Sequence, residues 1–74
     1  MYIYLVYGTE PELPVFRMLD TPSVVEQHLF GDKWMKTGLK WEDVMKNINS
    51  GKDTDLNRIS EKIAESLIGK DEYS

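Results

Sequence analysis

The sequence predicts a small α+β fold, a two-layer arrangement in which an N-terminal β-hairpin, with a short third strand as an option, packs against three short helices. Three observations carry this expectation. Tyr2 to Tyr7 are β-branched and aromatic on both faces of an extended chain; Trp41, Val44, Met45 and Ile48 recur at helical spacing; and Leu56, Ile59, Ile63 and Leu67 form a second such stripe.

In Tyr2–Tyr7, Tyr2, Tyr4 and Val6 fall on one pleat face and Ile3, Leu5 and Tyr7 on the other, the pattern of a strand covered on both sides. Gly8-Thr9-Glu10-Pro11-Glu12 carries turn residues, and Pro11 and Pro14 keep that stretch out of a central strand. The chain then returns through Val15 to Leu19, which gives the hairpin.

Asp20-Thr21-Pro22-Ser23 reads as a helix start. Thr21 can cap free backbone N–H groups, Pro22 at the first helical position has no N–H to lose, and Ser23 with Glu26 offers a capping box one step further in. The expected helix ends near Phe30, before Gly31-Asp32, with Val24, Val25, His28 and Leu29 inward. Lys33 to Thr37 fits a short strand or an extended connection, and the strand is preferred.

Glu42 and Lys46 support the next helix as a pair four apart in the favourable order, and Asn49-Ser50-Gly51 stops it. Asp53, Thr54 and Asp55 then supply caps and negative charge for a third helix beginning at Leu56, with Gly69 as its C-terminal stop and residues 70–74 frayed. The 74 residues are expected to form one domain, which at this size buries only about 60% of the surface its unfolded chain exposes.

Composition narrows the function. Apolar residues make up 41% and charged residues 30%, ordinary globular usage rather than the signature of disorder. There is no cysteine, so neither a disulfide nor a thiolate metal site is available. The apolar start is shorter than a signal-peptide core and no other run approaches a membrane span, so the expected compartment is the cytoplasm.

Catalytic chemistry finds few residues to work with. Nucleophilic catalysis wants Ser or Cys beside His, and His28 is the only imidazole; on a short helix it is expected to be a packing or surface residue. The close carboxylate pairs Glu10 and Glu12, and Asp53 and Asp55, sit where turns and caps use them. Single scattered glycines match neither a P-loop nor a dinucleotide fingerprint. The expectation is a non-enzyme with no cofactor and no metal.

Nucleic-acid binding could use Lys33, Trp34, Lys36, Lys40 and Trp41, which interleave basic and stacking groups. Against it stand a net charge of −4, the neighbouring Asp32, Glu42 and Asp43, and the place of Trp41 on an apolar helix stripe. Thirteen acidic residues dispersed among nine basic ones are a weak signal for a mimic of nucleic acid docking on a basic groove, a variant of protein binding.

Protein recognition is what the composition favours, because four Tyr and two Trp exceed what so small a core can hide. The candidate partner-binding residues are Trp34, Met35, Tyr2, Tyr4, Lys33 and Lys36, with Trp34 the first choice for an exposed anchor. The expected role is a small regulator or inhibitor docking on a larger protein, a size that also suits a phage or mobile-element product acting on a host factor. The alternative is a homodimer or other self-associating structural unit joined through hairpin edges.

Overall fold

The computed structural model describes residues 1–73. Among the described residues there are five strands and two helices, in the order β1 (Tyr2–Tyr7), β2 (Phe16–Leu19), β3 (Glu26–Phe30), β4 (Lys33–Lys36), α1 (Trp41–Asn47), β5 (Leu56–Ile59) and α2 (Glu61–Tyr73). The strands form one antiparallel sheet in the order β4-β3-β2-β1-β5. The α+β class stands, but the sheet is larger than expected and the helices number two rather than three.

β1 explains the arrangement. Its alternating side chains feed two apolar clusters: Ile3 and Leu5 join Phe16, Met18, Val25, Val44 and Leu56 on one face, while Val6 joins Val15 and Ala64 on the other. α1 covers the first cluster with Trp41 and Met45, joined by Ile48 just past its end, and α2 covers the second with Leu67 and Ile68. A sheet apolar on both faces needs a helix on each. The result is three layers rather than the expected two.

The expected β1–β2 hairpin forms, with Ile3 opposite Met18 and Leu5 opposite Phe16. The expected helix near 23–30 does not. Ser23 is no helix cap; its Oγ accepts a hydrogen bond from the Leu19 N–H (3.0 Å) and so closes the turn out of β2. Residues 26–30 then pair with both β2 and β4, burying His28 and leaving Leu29 exposed. The strand preferred for the stretch from Lys33 is present as β4.

α1 follows the expected spacing. Its first turn carries Glu42 and Asp43 and its last Lys46, each complementary to the helix dipole, although no side chain caps its start. Trp41 is anchored twice, by packing and by its Nε1–H, which donates to the Leu19 carbonyl at 2.8 Å.

The third expected helix starts later than the stripe suggests. Leu56 and Ile59 lie on β5, and α2 begins at Glu61, with the Ser60 Oγ accepting from the Ile63 N–H (3.1 Å). Asp53, Thr54 and Asp55 belong to the preceding turn, where the Asp55 Oδ2 accepts from the Ser50 hydroxyl. Gly69 lies inside α2 rather than stopping it. Of residues 70–74, expected to fray, 70–73 continue α2, and Ser74 lies outside the described residues.

Among the described residues, no helix is long and apolar enough to cross a membrane.

Candidate functional site

The cross-strand register decides which candidate residues meet. Tyr4 lies opposite Arg17, Arg17 opposite Glu26, Glu26 opposite Lys36, and His28 opposite Trp34, so these side chains share the α2 face of the sheet. Phe16, Gln27 and Met35 form the corresponding row on the α1 face.

On the α2 face the aromatic candidates gather around one cation. The Arg17 guanidinium carbon lies 4.0 Å from the Trp34 ring centre and 4.2 Å from that of Tyr2, while its Nε–H donates to Glu26 Oε1 at 2.9 Å. Tyr4 lies 6.2 Å from Tyr2 and 6.3 Å from Trp34, centre to centre, in tilted contacts. His28 meets the Trp34 ring edge-on at 5.1 Å. Burial, and next the Glu61 carboxylate, push the Tyr4 hydroxyl above the ordinary phenol range; Glu65 and Tyr2 add to this and Arg17 opposes it.

Trp34 is therefore not a free anchor. It is half-buried, packed against the cluster under α2, with Arg17, Tyr4 and His28 around its ring. His28 is 5% exposed, and its Nε2–H donates to the Gly31 carbonyl at 2.9 Å, closing the β3–β4 turn in which Gly31 has a left-handed φ of 60°.

The other candidates divide by face. Lys36 is exposed beside Glu26 on the α2 face, whereas Lys33, opposite Phe30 across a register shift, and Met35 project from β4 toward the α1 side. Met35 is 48% exposed, Leu29 48% and Phe30 60%, so one hairpin presents three large apolar side chains to solvent. Sequence reading missed Arg17, Leu29 and Phe30. The available signal was Gly31-Asp32 between two apolar pairs, a two-residue hairpin turn that also serves to end a helix.

Elsewhere the surface offers less. Glu10, Glu12 and Asp53 line a shallow depression of about 490 Å³ with Tyr7, Gly8 and Thr9, and among the described residues no cluster of His, Asp and Glu has the arrangement to hold a metal. A groove of about 270 Å³ runs between α1 and β5, walled by Tyr7, Leu39, Val44 and Leu56. In comparisons with known proteins, no family model, no curated protein and no solved structure matches the chain.

Proposed function

We propose that this chain is a non-enzymatic protein-binding module, a regulator or inhibitor that docks on a larger protein in the cytoplasm through its β3–β4 hairpin. The single observation that carries this reading is the exposure of Leu29, Phe30 and Met35 together on one hairpin at the edge of the sheet. Scattered exposed apolar residues are ordinary, but three on one short hairpin form a patch that water solvates poorly and a partner can cover.

Lys33, on the same side of β4 as Met35, adds positive charge beside that patch, while Lys36 lies on the opposite face of the strand, in keeping with an apolar centre and polar rim. Trp34, Tyr2 and Tyr4 support it from beneath, since the ring and guanidinium contacts fix how β4 is presented. Binding to single-stranded nucleic acid is disfavoured by the same contacts: Trp34 is packed by Arg17, and Trp41 is bonded to Leu19, so neither ring is offered for stacking.

Affinity capture from a source lysate, read by mass spectrometry, tests the proposal when wild type is compared with a Phe30→Ser/Met35→Ser variant of unchanged circular dichroism. A protein retained by wild type and lost with the variant is the expected result. No retained protein, together with a stable dimer by light scattering, would favour the second reading, self-association through the open edge of β4.

A further inference from the structure

The two edges of the sheet are finished differently. At β5 the Gly8 N–H donates to the Asp55 carbonyl (3.2 Å), which by antiparallel alternation turns the backbone groups of Asn57 and Ile59 toward β1 and those of Leu56 and Arg58 outward. The outward Arg58 N–H is taken by Asn49 Oδ1 at 3.0 Å, from a residue held at a left-handed φ of 61°. A side chain thus takes one of the outward groups of that edge.

At β4 the Thr37 N–H donates to the Val25 carbonyl at 2.9 Å, so Met35 and Thr37 face β3 while the N–H and C=O groups of Trp34 and Lys36 face outward. Among the described residues no hydrogen bond reaches those outward groups. The same alternation sends the Lys33 and Lys36 side chains to opposite faces of the strand, three residues apart.

We infer that the β4 edge accepts an extended acidic segment of the partner protein as a sixth strand, with two carboxylates three residues apart opposite Lys36 and Lys33 and an apolar residue opposite Met35. This rests on the protein-binding reading and names the chemistry of its partner. Backbone pairing supplies attraction without sequence preference, and the two lysines supply the choice. Glu26 is already engaged by Arg17, which leaves Lys36 free to take a partner's carboxylate. A second copy of the chain fits less well, because β4 itself carries no carboxylate to set opposite Lys33 and Lys36.

The test titrates the isotope-labelled chain with the blocked peptide Thr-Glu-Ile-Val-Glu-Thr and with its lysine counterpart Thr-Lys-Ile-Val-Lys-Thr, followed by amide shifts. The expected result is shifts centred on Trp34 and Lys36, a preference of roughly tenfold for the glutamate peptide that weakens with salt, and reversal of that preference in Lys33→Glu/Lys36→Glu. Equal response to both peptides, no response, shifts centred on Arg58, or a free chain already dimeric with the Trp34 and Lys36 amides protected would each overturn it. If a lysate partner is captured but the peptides are silent, only the edge assignment falls. If the peptides bind at β4 and no partner is captured, the edge chemistry stands and the proposed function loses its support.

Discussion

Arg17 lies with its guanidinium carbon 4.0 Å from the centre of the Trp34 ring, and that contact ties the second strand of the sheet to its outermost one. Tyr2 and Glu26 hold the same cation, at 4.2 Å from the ring centre and 2.9 Å to the carboxylate. Arg17→Ala is expected to cost about 1–2 kcal/mol, since partly buried cation–π contacts and an ion pair of this exposure are each worth on the order of 1 kcal/mol. Urea denaturation measures the loss, and easier acrylamide quenching of tryptophan fluorescence reports the uncovering of Trp34. Arg17→Lys keeps the charge but not the planar fork, and should recover only part of the stability.

Asn57 holds the turn before β5 with one side chain. Its Nδ2 donates to the carbonyls of Gly8 (2.9 Å), Asp55 (3.0 Å) and Lys52 (3.3 Å), and its Oδ1 accepts from the Gly51 N–H at 2.9 Å. Asn57→Asp keeps the shape and replaces the donor with an acceptor facing three carbonyl oxygens. A loss of about 3 kcal/mol or more is expected in thermal or urea unfolding, against a smaller one for Asn57→Ser.

Both errors in placing strands and helices have one physical source, the overlap of periodicities in short apolar runs. Val24, Val25, His28 and Leu29 suit one side of a helix, yet His28 is buried and Leu29 exposed, the alternation of a strand with its neighbours on both sides. The local pattern cannot reveal those neighbours. Likewise Leu56, Ile59, Ile63 and Leu67 keep helical spacing across a break at Ser60, where strand gives way to helix. Ser60 caps α2 by accepting from the Ile63 N–H, a local bond that the continuous stripe conceals. The run at Trp41 was readable because its stripe and charges agreed, although the helix ends at Asn47, before the stop expected at Asn49-Ser50-Gly51. At the candidate site, aromatic excess was visible in composition, but the filling of the Trp34 surroundings by Arg17 depends on strand pairing and had no signature along the chain.

Asn49 separates a capping effect from a backbone one. Asn49→Gly retains the left-handed conformation and loses only the bond to the Arg58 N–H, so amide exchange at Arg58 should accelerate for a cost of about 1 kcal/mol. Asn49→Ala should cost a further ~1 kcal/mol because a Cβ strains that φ. Equal stability of the two variants would show that the backbone conformation relaxes.

Tyr4 gives the stability a pH dependence at the alkaline end. Its raised pKa, set first by burial and then by Glu61, means that the unfolded chain releases the phenolic proton at lower pH than the folded one. The folded state then binds more protons, and stability falls as pH rises above the ordinary phenol value of about 10. Tyr4→Phe should show a shallower fall over that range in urea titrations.

The docking surface itself is tested most directly by hydrogen–deuterium exchange on the chain alone and in complex with its captured partner. Protection gained on binding at residues 29–36, with Trp34 and Lys36 amides exchanging freely in the unbound chain, is the predicted result. Protection gained elsewhere with this hairpin unchanged would contradict the account, as would Trp34 and Lys36 amides already protected by self-association before any partner is added.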